Sequence, residues 1–164
     1  MSPAELHQYF DGERYGAMMA LGLGIASICL ASYVWFGRSP FRAMAWPLVI
    51  VAVVELGVGV GLLARTGPQV ETLEAGLRTA PQPTAAVELQ RMTRVNQSFR
   101  VIKTIEVVAI AAGVFLIMLL PAENVAWRAV GLGLLLQATA LLVFDVFAEH
   151  RAHLYTRWLS GLGS

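Results

Sequence analysis

The chain has 164 residues, of which 57% are hydrophobic and only 14% charged, and its net charge is +1. With a mean hydropathy of +0.63, this excludes a disordered chain and points away from an ordinary soluble domain. The near-neutral charge leaves no basic footprint for nucleic acid, and the single cysteine, Cys29, excludes an internal disulfide or a CxxC redox pair.

A membrane-spanning helix needs about 20 consecutive apolar residues, and four stretches qualify: 15–36, 44–64, 101–120 and 125–148. The first is too long for the apolar region of a signal peptide. It follows Glu5, Asp11 and Glu13 beside only Arg14, so a retained span is expected. Ser27 lies near its middle, and Cys29 reads as a small packing residue.

The second span carries Glu55 about ten residues from either end, near the bilayer midplane. An ionisable group at that depth costs roughly 2.5–3.5 kcal/mol on insertion scales and needs a reason to be there. Gly57, Gly59 and Gly61 follow, the first and last forming a GxxxG face suited to close helix approach, within the bundle or in a homo-oligomer.

Residues 65–100 form a loop with helical pattern. Thr66, Pro68 and Gln69 read as the start of a new helix bearing Val70, Leu73 and Leu77 on one stripe. Pro81 and Pro83 break the chain, and a second helix is expected from Thr84 into the third span. Met92, Val95, Phe99 and Ile102 mark one face of it. This loop is a candidate surface for a protein partner, through Arg91, Arg94 and Asn96.

The third span brings Lys103 and Glu106, three residues apart and able to pair along the helix. The fourth places Gln137 at midspan and Asp145 and Glu149 near its far end. Two clusters follow: a midplane group of Glu55, Gln137 and Ser27, and a charged mouth of Arg14, Arg100, Lys103, Glu106, Asp145 and Glu149. In the second, Lys103 is expected to bridge to Asp145 or Glu106, and Arg100 or Arg14 to Glu149. His150 and His153 are weak metal candidates, too few for a finished site. No pattern calls for a cofactor, and no catalytic constellation is visible.

Nine of the twelve basic residues fall on the side shared by the termini and the 65–100 loop, which predicts cytoplasmic termini. Trp35, Trp46 and Trp127 then form the outer aromatic belt, and Tyr15, Tyr155 and Trp158 the inner one. Sliding the chain by 86 places Arg14 on Arg100 and Arg65 on Arg151, as a tandem duplication of one hairpin would.

The fold class is therefore all-α: a polytopic protein with one domain over 1–164, four transmembrane helices in two hairpins, and a helical cytoplasmic loop. The strings ERYGAM, FRAMAWPL, GVGLLARTGPQV, RVNQSFRVIKTIE and FDVFAEHRAHLY resemble small uncharacterised four-span bacterial inner-membrane proteins. That resemblance covers nearly the whole chain, implies a bacterial inner-membrane origin and brings no activity with it. Two functions compete: a membrane scaffold or accessory subunit, and an oligomeric channel or carrier for ions or protons using Glu55. A membrane enzyme is the weakest third.

Overall fold

The computed structural model describes residues 4–162, and side chains over 5–161. It holds four long helices: α1 (Ala4–Phe36), α2 (Ala45–Thr79), α3 (Pro81–Met118) and α4 (Val125–Leu162). A short 3-10 turn (Arg42–Met44) precedes α2. Each of the four is long and apolar enough to cross a membrane. The chain is a multi-pass, all-α membrane protein.

Helix length decides the shape. Helices of 33 to 38 residues rise about 50–57 Å, against a hydrocarbon core of about 30 Å. Two tight connections, 37–44 and 119–124, close one end. The surplus length therefore projects at the other end, with the chain termini and the α2–α3 turn. α1 packs along α2, and α3 along α4. α2 and α4 each touch every other helix, whereas α1 and α3 do not meet. The bundle is thus a rhombus with α2 and α4 on its short diagonal.

Glycines set these approaches at some positions and not at others. A Cβ on Gly113 would sit 2.8 Å from the Gly131 carbonyl oxygen, and one on Gly131 equally close to that of Gly113. Gly24 receives Leu56, Gly59 receives Leu21, and Gly133 receives Pro47 under the 3-10 turn. Gly22, Gly57 and Gly61 instead face open space, so the GxxxG pair plays no part in packing this bundle. Cys29 is likewise exposed. It lies on the outer surface of α1, not in the packed interior that its residue type suggested.

The pattern at Thr66, Pro68 and Gln69 predicts a helix start, but no helix begins there. α2 runs unbroken through Pro68, although proline cannot donate to the Ala64 carbonyl. Tertiary packing overrides the local signal. Thr66 is fully buried, its Oγ1 2.6 Å from the Leu62 carbonyl and 3.3 Å from Glu13 Oε2. Arg65 also reaches Glu13 at 2.9 Å. The break comes at Ala80, whose extended backbone suits a residue before proline. α3 then starts at Pro81, three residues earlier than expected, with Pro81 in the first turn where its missing N–H costs nothing.

The projecting ends form a second, extramembrane core: Leu6, Tyr9, Phe10, Leu73, Met92, Ala152, Tyr155 and Leu159. Val70, Leu77, Val95 and Phe99 pack against it, as their stripes predicted, while Ile102 remains exposed. Tyr155 is corrected from an interface belt to this core. It stacks on Tyr9 at 4.3 Å and on Trp158 at 5.6 Å, and lies 3.3 Å from Glu88 Oε1. Glu88 is clamped by Arg91 at 2.6 and 2.8 Å. Arg91 therefore faces this internal pair. Burial lowers its pKa, but the Glu88 hydrogen bonds and charge outweigh that and hold it above the ordinary range.

Two outcomes test this packing. Gly113→Val should lower stability in bicelles by about 1–3 kcal/mol, the usual cost of overpacking, while Gly57→Ala should be neutral or slightly stabilising. Equal losses from both would contradict the assignment of faces. Burial, followed by the charge of Glu13, pushes the Tyr9 hydroxyl up to about 12 from 10.0. Its contribution to stability is complete below pH 10 and is lost as pH rises from 10 to 12. Tyr9→Phe should therefore flatten the fall in stability over that window, read by denaturation at each pH.

Candidate functional site

The bundle interior carries two polar layers. The first lies at midspan. Glu55 is ten residues into α2 and Gln137 twelve into α4, or about 15 and 18 Å from the closed end. Gln137 Nε2 donates to Ser27 Oγ at 2.9 Å, joining α4 to α1. All three residues are buried, Glu55 at 3% exposure. The expected cluster is therefore only part formed: Gln137 and Ser27 meet, whereas neither Glu55 oxygen has a hydrogen-bonding partner among the described residues. The bond joins α4 to α1, whereas Glu55 stands on α2.

The second layer lies two turns further along α4, about 12 Å toward the projecting end. Lys103 Nζ meets Glu149 Oε2 at 2.5 Å, tying α3 to α4. Glu106 does not pair with Lys103 along its own helix. It lies instead near Asp145 across the bundle, close enough for the two carboxyls to interact electrostatically. Glu106 is 4% exposed, and as an ionised carboxylate it finds no donor for either oxygen among the described residues. Two facing carboxyls can bond only with a proton between them. Lys103 acts on both carboxyls through its charge, but its short contact is with Glu149.

The sequence predicts that Arg100 or Arg14 holds Glu149. Both are exposed and make no ion pair among the described residues, where Glu149 pairs with Lys103 instead. His153 lies 3.8 Å from Glu149, and His150 is exposed. Among the described residues no three His, Cys, Asp or Glu side chains converge on a metal position. The Glu106–Asp145 juxtaposition was missed as a pair. Its signal was the spacing of Asp145 and Glu149, one turn apart on α4, opposite Glu106 and Lys103, three apart on α3. Two such pairs facing in antiparallel helices permit two crossed contacts.

The layer thus sets two carboxyls and one ammonium close enough to influence one another electrostatically. An unpaired carboxylate inside the membrane costs several kcal/mol, so the arrangement needs a bound proton, cation or water to persist. Comparisons with family models, curated proteins and solved structures found no match.

Ser27→Ala tests the midspan bond. It should cost about 0.6–1.7 kcal/mol, the range for such bonds in membranes, because Gln137 is left without its acceptor. A combined Ser27→Ala, Gln137→Leu variant should recover part of that loss in the same unfolding assay. Additive losses would show that the two side chains act independently.

Proposed function

We propose that this protein is a small channel or carrier for protons or small cations, with Glu106 and Asp145 as the loading site. The observation that supports it is the buried Glu106 carboxyl, which has no donor for either oxygen and faces a second carboxyl. Glu55 offers a second protonatable group about midway across, so Glu106 takes over the central role first given to Glu55. Lys103, held by Glu149, stands between the loading site and the projecting end and compensates its charge.

The nine-to-three division of basic residues supports a cytoplasmic projecting end, and the resemblance noted above favours a bacterial inner membrane. Protons would then load from the cytoplasmic side past Lys103 and leave past Glu55. The scaffold reading keeps one specific support, the separate core of the projecting ends. On that reading the 65–100 segment carries a protein partner.

Proton flux into pH-clamped liposomes tests the proposal. The wild type should dissipate an imposed gradient faster than empty vesicles. Glu106→Gln should remove most of that flux while the protein stays folded, and Arg38→Gln at the closed end should not. Flux unchanged by Glu106→Gln would overturn the loading site. No flux from the wild type would leave the scaffold reading standing.

A further inference from the structure

The junction between the spans and the extramembrane core holds a feature that proton handling does not use. Arg151 is 26 residues into α4, about 39 Å from the closed end. That is beyond the hydrocarbon and level with the lipid headgroups. Its side chain lies across α1 in a notch made by two glycines. A Cβ on Gly12 would sit 2.8 Å from Arg151 Cδ and 2.9 Å from Nε, and one on Gly16 would sit 3.4 Å from Nη2. Each glycine inside a helix costs roughly 0.5–1 kcal/mol relative to alanine. Here that cost makes room for a guanidinium that has no carboxylate partner among the described residues.

Beside it is a cavity of about 100 Å³ lined by Glu5, Gln8, Tyr9, Arg151, Leu154 and Tyr155. The stacked Tyr9 and Tyr155 rings contribute its aromatic wall. The pocket thus carries one cation and one carboxylate, and the carboxylate is unpaired as well: Glu5 is exposed and forms no ion pair among the described residues. A single anion would meet Glu5 unfavourably, and a single cation Arg151. A zwitterion of small size satisfies both, its phosphate on the guanidinium and its ammonium on Glu5 and Gln8.

We propose that the Arg151–Glu5 pocket between α1 and α4 binds the phosphoethanolamine headgroup of a membrane phospholipid. Its level at the bilayer surface favours a lipid over a free solute as the source. A primary ammonium donates hydrogen bonds to Glu5 and Gln8, whereas the bulkier trimethylammonium of phosphatidylcholine donates none. The preference comes from these paired contacts and not from a general attraction of basic residues to anionic lipid.

Native mass spectrometry of the full chain tests it, with the protein released from mixed micelles holding equal phosphatidylethanolamine, phosphatidylcholine and phosphatidylglycerol. The wild type should retain phosphatidylethanolamine at least about five-fold over each of the others, the worth of one charged contact near a membrane surface. Arg151→Gln should abolish this selectivity. Glu5→Gln, at an exposed position that leaves folding intact, should bring phosphatidylethanolamine down to the level of phosphatidylcholine. Arg38→Gln at the closed end should change nothing. Equal retention of the three lipids by the wild type, or selectivity that survives Glu5→Gln, would overturn the site. A preference for phosphatidylglycerol would overturn the headgroup assignment. Soluble O-phosphoethanolamine displacing the lipid at equal concentration would overturn the lipid as its source.

Discussion

A charged or polar side chain inside a bilayer has no water to fall back on, and this constraint organises the bundle. Every buried polar group must find its partner on a neighbouring helix or carry its own proton. Ser27 and Gln137 solve the problem between themselves. Lys103 and Glu149 solve it as an ion pair near the membrane edge. Glu55 and Glu106 are left without a donor, and the function proposed here resides in what they lack. The rhombic arrangement makes this possible. With α2 and α4 on the short diagonal, α4 can offer Gln137 to α1 and Asp145 and Glu149 to α3.

The same helices that cross the membrane also build the core outside it. No linker separates the two parts, because α2 passes through Pro68 without a break. Glu13, Arg65 and Thr66 tie α1 to α2 at that junction. Asn96 and Thr156, 3.1 Å apart, tie α3 to α4 beyond it. Asp145, Arg151 and Tyr155 all stand on one unbroken helix, so the polar layer and the projecting core share a rigid element.

Much of this was legible in the sequence. Span length and apolar composition predicted four helices, and three- and four-residue spacing predicted which residues of the 65–100 segment face a core. The polar residues inside the spans were found by depth alone. Partners were harder. Two helices placed at the right depth leave rotation undetermined, so Lys103 could be assigned to Glu106 on its own helix or to Asp145 across the bundle, and neither is its short contact. Thr66, Gly67 and Pro68 carry an honest local start signal, which loses to the burial of Thr66 against Glu13, a contact 53 positions away in sequence. The glycines divide for the same reason: sequence spacing names a face, and only the packed bundle says that Gly59 touches Leu21 while Gly57 and Gly61 touch nothing.

The central claim is that Glu106 and Asp145 hold one proton between them inside the membrane. Infrared difference spectroscopy of the protein in lipid at neutral pH reads this directly, through the carbonyl stretch of a protonated carboxyl and its shift in heavy water. The wild type should show such a band, lost or displaced in both Glu106→Gln and Asp145→Asn, since either substitution removes one half of the shared bond. A carboxyl band that neither substitution alters, or none at all in the wild type, would contradict it.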